Sequence, residues 1–241
     1  MPEPAKPTLV LRLPSDYRAP EFPRLPADSQ VSSTAEPLFA RTEGGLLARL
    51  EGSAIHSLLE RLARLRQRLS PEEAANELAS SLPAVAAQVR AAGLPADAAK
   101  KLAGRALAVV RRAATDPDGV WITAPHPQAA SETAWTGVFT DNVGHRQQRS
   151  LRPDRVFLAS DPTQPAGEPL WWIVDYKSSH APDSTHSEAT GKASFLARHR
   201  KLYGEQLQTY AQVLRALHPE SRTIRAGLYY PRLPLFDFWE L

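Results

Sequence analysis

The chain has 241 residues, 42% hydrophobic and 23% charged, enough to bury a core without covalent staples. The absence of cysteine excludes a disulfide framework, a thiolate zinc site, an iron–sulfur cluster and a cysteine nucleophile. Basic residues exceed acidic ones by 29 to 26, a net +3 that permits a polyanionic partner without demanding one, and no apolar run reaches the ~20 residues of a membrane span.

Residues 1–45 contain eight of the 22 prolines. Proline removes a backbone donor and interrupts helices, so this stretch reads as a linker or extended arm, or else as an ordered coil on a domain surface. Its first ten residues, MPEPAKPTLV, lack the apolar core of a secretion signal. Residues 46–115 are rich in Leu, Ala and Arg and poor in β-branched residues, which predicts a helical region. A first helix is expected over 46–69, with Leu47, Ala54, Leu58, Leu62, Leu65 and Leu69 on one stripe. Ser70-Pro-Glu-Glu73 has the residues of an N-cap, a first-turn proline and a capping box, and starts a second helix. A third is expected over 94–114. The region holds 11 basic and 6 acidic residues. Such an excess is usually a solvated face, with a nucleic-acid surface as the sharper alternative.

The pattern changes at Asp116-Pro-Asp-Gly, and 116–241 reads as a sheet core. Strands are expected over 120–123, 133–140, 149–158 and 170–177, with a turn at Asp141-Asn-Val-Gly and a loop over 161–169. A long helix over 194–217, a strand over 223–230 and a Pro- and aromatic-rich tail follow. This order predicts an α/β (α+β) fold, a mixed central sheet flanked by helices, and not a doubly wound nucleotide fold. Thr190-Gly-Lys-Ala is superficially like the end of a phosphate-binding loop. However, His186 stands where the first glycine belongs and Ala193 follows Lys192, so no ATP site is expected.

Three segments put polar groups on apolar faces. Trp172–Val174 reads as a buried strand yet runs on into Asp175 and Lys177, which share a face because strand side chains alternate. Opposite charges tolerate burial when paired or metal-bound; a structural pair at a strand end, or emergence into solvent, is the plainer reading. Asp154 shares a face with Val156 and Leu158. Neighbouring strands would set it beside Asp175, and two close carboxylates repel unless a hard cation such as Mg²⁺ lies between them. Pairing with Arg152 or Arg155 at the surface is the alternative. On the late helix, Gln206 falls within the apolar arc of Phe195, Leu202, Tyr203, Leu207, Tyr210, Leu214 and Leu217. Its amide therefore needs a partner, in a site or in nearby backbone. His199, in the same arc, reads as a partly buried packing residue. His56 lies off the leucine stripe on the side of Gly52 and Ala63, whose small size admits another element; a merely exposed histidine is the alternative.

In order, Gly52-Ser-Ala-Ile-His56-Ser-Leu-Leu-Glu, Asp154-Arg-Val-Phe, Trp172-Ile-Val-Asp175-Tyr-Lys177-Ser and Tyr203-Gly-Glu-Gln206-Leu-Gln-Thr-Tyr210-Ala resemble the PD-(D/E)XK nuclease superfamily. Within it they resemble the C-terminal nuclease domain of RecB/AddA-type, UvrD/REP-related helicase–nucleases. Trp121-Ile-Thr-Ala-Pro-His-Pro-Gln-Ala followed by Glu132, and Gly227-Leu-Tyr-Tyr-Pro, are similar to the same group. The resemblance covers 46–241. It implies a restriction-endonuclease-like core with an N-terminal helical region, and a metal-dependent deoxyribonuclease, an exonuclease of RecB/AddA type.

By that resemblance, Asp154 and Asp175 ligate Mg²⁺, with Mn²⁺ as substitute, the Tyr176 carbonyl is a further ligand and His56 an extra one. Lys177 orients or deprotonates the attacking water and stabilises phosphate charge. Gln206 and Tyr210 brace the site and contact DNA or the lysine. The implied partners are DNA, as single strand or duplex end, and helicase motor domains in cis or in trans. The implied role is processing of double-strand ends for recombinational repair in the bacterial cytoplasm, with 1–45 as a linker to the motor. A catalytically silent DNA- or protein-binding module of the same fold is the alternative. Pro153 departs from the family pattern and is expected at a bulge or edge. The Pro-rich loop between the two carboxylates is longer than in many members. The missing cysteines separate the chain from AddB-like and CRISPR-adaptation nucleases, which carry an iron–sulfur cluster.

Overall fold

In a computed structural model, residues 45–140, 146–179, 188–220 and 223–241 are described. All of them belong to one compact unit, residues 37–241. The arm expected over 1–45, save Gly45, and the turn at 141–144 lie outside the described residues. The helical region comprises α1 (Leu46–Leu65), α2 (Pro71–Glu77), a short 3-10 turn (Leu78–Ser81), α3 (Leu82–Ala91), α4 (Ala96–Ala113) and α5 (Pro117–Ile122). Strands β1 (Ala130–Ser131), β2 (Trp135–Thr140), β3 (Arg146–Leu151), β4 (Arg155–Ala159) and β5 (Leu170–Tyr176) follow, then α6 (Glu188–Leu217), β6 (Ile224–Tyr230) and β7 (Leu235–Glu240).

The main sheet has the order β1-β4-β5-β6-β7. Its one parallel pair is β5–β6, which α6 connects; the other neighbours are antiparallel. The sheet is therefore mixed and flanked by helices, as its alternation dictates. Phe157, Trp172, Val174, Tyr176 and Tyr229 face one way and pack with Ile55, Leu58, Leu62, Leu102 and Val110 of the helical region. Val156, Trp171, Ile173, Ile224, Ala226, Leu228 and Tyr230 face the other way, onto Leu207, Tyr210, Ala211 and Leu214 of α6. β2 and β3 form a separate antiparallel ribbon.

Several boundaries differ from the sequence expectation, for identifiable reasons. The strand expected over 120–123 is the end of helix α5. Asp116 accepts a hydrogen bond from the Gly119 N–H at 3.0 Å and Pro117 occupies the first turn, so the cap outweighs the β-propensity of Val120-Trp-Ile-Thr. The strand expected over 149–158 is cut near Pro153 into β3 and β4, which belong to different sheets. A proline cannot donate to a ladder, and here the chain changes sheets at it. α1 stops at Leu65; the Arg66 guanidinium binds the Leu69 carbonyl at 2.9 Å, and Leu47, at the start of the stripe, is exposed. The aromatic tail completes the sheet as β7, each of its residues paired with β6. The capping box at Ser70 and Glu73 is present.

Candidate active site

The register of β4 on β5 pairs Arg155 with Val174, so its continuation brings Asp154 abreast of Asp175 at the strand ends. Both residues are buried, 7% and 5% exposed. Asp154 is held on two sides: Oδ2 accepts the Tyr176 N–H at 2.6 Å, and Oδ1 stands 3.1 Å from His56 Nδ1 on α1. Asp175 is ion-paired with Lys177, and its Oδ1 lies 3.5 Å from Gln206 Nε2 on α6. The same amide nitrogen donates to the Tyr210 hydroxyl at 2.7 Å, and that hydroxyl donates to the Arg152 carbonyl at 3.4 Å. The half-buried glutamine thus finds its partners in side chains, Tyr210 one turn on along α6 and Asp175 on β5, and not in nearby backbone. Tyr176 lies between Asp175 and Lys177 in the chain, and its ring meets His56 edge-on at 5.7 Å.

α1 comes close to this corner at Gly52, whose missing side chain leaves room for the segment after β5. A Cβ on Gly52 would come within 2.9 Å of Ser178 Oγ, just past Lys177. Arg232, after β6, donates to the Ser178 carbonyl at 3.0 Å and pairs with Glu51 of α1 at 2.9 Å, tying the same loop to the helix. His199 is buried as a packing residue, Nδ1 3.0 Å from the Tyr230 hydroxyl.

One further acid joins the site. Glu132 follows β1 and has a backbone φ of 52°, a conformation uncommon for a residue with a side chain. Its N–H donates to the Asp154 carbonyl at 3.0 Å, and its carboxylate pairs with Arg152 at 2.8 Å. Ligand atoms of His56, Glu132 and Asp154 all lie within 4.8 Å of one another. In the sequence Glu132 stands out only through the resemblance of Trp121–Ala129 followed by Glu132, with no role attached; its approach to Asp154 depends on that backbone turn. Asp175 is directed to Lys177 and Gln206 instead, so the site has a histidine–carboxylate half and a carboxylate–lysine half.

The electrostatics follow from these neighbours. Burial opposes charge on His56, but the Asp154 carboxylate outweighs it, helped by Asp175 and Glu132, and raises the imidazole to about 9. Burial likewise works to raise Asp154, yet the His56 cation and the Tyr176 N–H leave it lowered. Asp175 is raised by burial, with the Asp154 charge adding and Lys177 opposing. Glu132 is raised by burial and by Asp154. Lys177 is raised: its burial is outweighed by Asp175. The imidazolium is therefore the cation of the half of the site that holds the Asp154 and Glu132 carboxylates. A donor set of carboxylate oxygens and one imidazole, without thiolate, suits a hard divalent ion, and such an ion must displace that proton to use the nitrogen.

The sheet, the helices on both its faces and these side chains at one end of it agree with a comparison against protein families. The family model of the PD-(D/E)XK nuclease superfamily matches residues 38–235, and the chain belongs to that superfamily. It is a nuclease-type domain of a group that uses divalent metals, for which DNA is the implied substrate. No curated protein matches the chain. Among the described residues, no helix is long and apolar enough to cross a membrane.

Proposed function

We propose that the chain is a metal-dependent deoxyribonuclease domain of the RecB/AddA type, an exonuclease that processes DNA double-strand ends for recombinational repair. In this reading 46–241 is the nuclease domain, with 46–115 its helical part and 116–241 its sheet core. Residues 1–45 form the linker to helicase motor domains, which deliver the strand in cis or in trans, in the bacterial cytoplasm. The observation that supports it most is the meeting of His56, Glu132, Asp154, Asp175, Lys177 and Gln206, from five segments of the chain, at one part-buried corner.

His56, Asp154, Asp175 and the Tyr176 carbonyl would hold Mg²⁺, or Mn²⁺ in its place, with Glu132 added to the set. When bound, the cation supplies positive charge to the phosphoryl oxygens and to the attacking water. Lys177, as an ammonium, brings N–H donors to the same place, where it orients that water and stabilises charge on the phosphate. Gln206 and Tyr210 fix the Asp175 carboxylate and contact DNA.

The test is cleavage of linear single- and double-stranded DNA with Mg²⁺, with Mn²⁺ and with EDTA. Asp175→Ala and Lys177→Ala are expected to abolish metal-dependent cutting while leaving the circular dichroism spectrum unchanged. Cutting that survives both substitutions refutes the site. DNA binding that ignores Mg²⁺ and falls with salt, without cutting, supports the binding-module reading instead.

A further inference from the structure

Lys177 has a second neighbour that its pairing with Asp175 does not explain. Its side chain is only 14% exposed, so its ammonium needs protein partners. Nζ stands 3.5 Å from the centroid of the Tyr203 ring, well inside the ~6 Å reach of a cation–π contact. Tyr203 lies three residues before Gln206 on α6. Its ring is set by an aromatic stack running from α6 to β6. His199 meets it edge-on at 5.5 Å, Phe195 packs on His199 at 4.0 Å, and His199 is anchored to Tyr230.

The chemistry of this pairing differs from that of a second carboxylate. An ammonium has three N–H donors and no acceptor. A carboxylate takes up donors and neutralises the charge. A ring face attracts the charge through its quadrupole and leaves the N–H groups free for oxygen atoms. Without the ring, the flexible four-carbon stem of Lys177 has, among the described residues, the Asp175 ion pair to hold it, and the amine settles onto that carboxylate.

We propose that Tyr203 is a positioning residue, whose ring face holds the Lys177 ammonium where it can serve the phosphodiester and the attacking water. The proposal rests on the nuclease reading of Lys177. It makes the aromatic face, and not the phenolic hydroxyl, the property that matters at position 203.

The experiment compares Tyr203→Phe, Tyr203→Leu and Lys177→Ala in the full chain, with steady-state cleavage of linear DNA at saturating Mg²⁺. Tyr203→Phe is expected to stay within about twofold of the parent in kcat, because it keeps the face. Tyr203→Leu is expected to lose about tenfold in kcat with KM little changed, the size a desolvated cation–π contact can carry. A Leu variant as active as the parent overturns the proposal, and so does a Phe variant as poor as the Leu variant. Should the Leu variant melt early, fluorinated phenylalanines at 203 keep the shape and weaken the face stepwise. A kcat that falls with fluorine content supports the proposal, and a flat series overturns it. Independently of cleavage, the Lys177 ε-methylene protons should show a ring-current shift upfield in the parent and in Tyr203→Phe, absent in Tyr203→Leu; no shift in the parent overturns the contact itself. Full activity in Lys177→Ala would instead overturn the nuclease reading of that lysine, an outcome separate from those above.

Discussion

Metal binding at this site should be paid for in protons, and the amount is set by His56. In the metal-free protein the Asp154 carboxylate keeps the imidazole charged up to a pH of about 9. At pH 7, about two units lower, the charged form outnumbers the neutral one by about a hundred to one. A metal ion that uses the imidazole nitrogen must displace that proton, so its apparent affinity should rise as pH rises toward 9. Because 29% of the His56 side chain is open to solvent, part of that effect is screened. The expected gain between pH 7 and pH 9 is about ten- to a hundredfold in the dissociation constant. Calorimetric titration with Mn²⁺ at pH 7, in two buffers of different ionisation enthalpy, should report about one proton released per ion, falling to about a quarter of one near pH 9.5. Asp175 and Glu132 are also raised and could release protons, so His56→Asn is the deciding control: it should remove the release at pH 7 and flatten the pH dependence. Equal heats in the two buffers for the parent protein, or unchanged release in His56→Asn, would refute the reasoning.

The same histidine should mark stability. A group whose folded-state pKa is raised contributes fully below its unfolded value of 6.5 and loses that contribution as pH climbs through about 9. Melting in the presence of a chelator should therefore fall by several degrees across that interval for the parent, and not through this group for His56→Asn. Gly119→Ala should destabilise by about 2–3 kcal/mol in urea titration. Its new Cβ would press into the Ala113 carbonyl oxygen and stand 2.5 Å from the Tyr229 hydroxyl; a loss under about 0.5 kcal/mol would contradict the packing. Arg155→Met should cost about 3 kcal/mol. The buried guanidinium donates to the carbonyls of Ile122 and Ala124 at 3.1 and 2.8 Å and to Ser131 Oγ at 3.0 Å, and methionine leaves all three acceptors without that donor.

How much of this was legible in the sequence depends on how local each signal is. Asp175 and Lys177 at the end of an apolar strand, and Gln206 in an apolar helical arc, stand out because a polar group on a buried face needs a reason. The mixed sheet flanked by helices follows from the order of strands and helices. The helix α5 was hidden because Val120-Trp-Ile-Thr has strand composition, while the Asp116-Pro117 cap that decides the matter spans two residues. The division at Pro153 was half visible: proline announced a break, but not that β3 and β4 would join different sheets. Glu132 depends on a left-handed backbone turn and on β1 pairing with β4, neither of which leaves a periodic trace. The contact of Tyr203 with Lys177 is tertiary, and at 203 the wheel shows only another apolar position.

The ribbon β2–β3 leaves the main sheet immediately after Glu132 and returns just before Asp154. The hydrogen bond from the Glu132 N–H to the Asp154 carbonyl closes this excursion at its base. Both acids are thus fixed by the closure, not by the length of what lies beyond it. Chain added far from the base of such an excursion costs only a slowly growing loop entropy and leaves the Arg152–Glu132 pair at the base in place. The outer part of the ribbon is accordingly a modular insertion point, where length can drift or a foreign element be grafted, while Leu151 and Arg152 at its base stay tied to the α6 core, to Glu132 and to Tyr210.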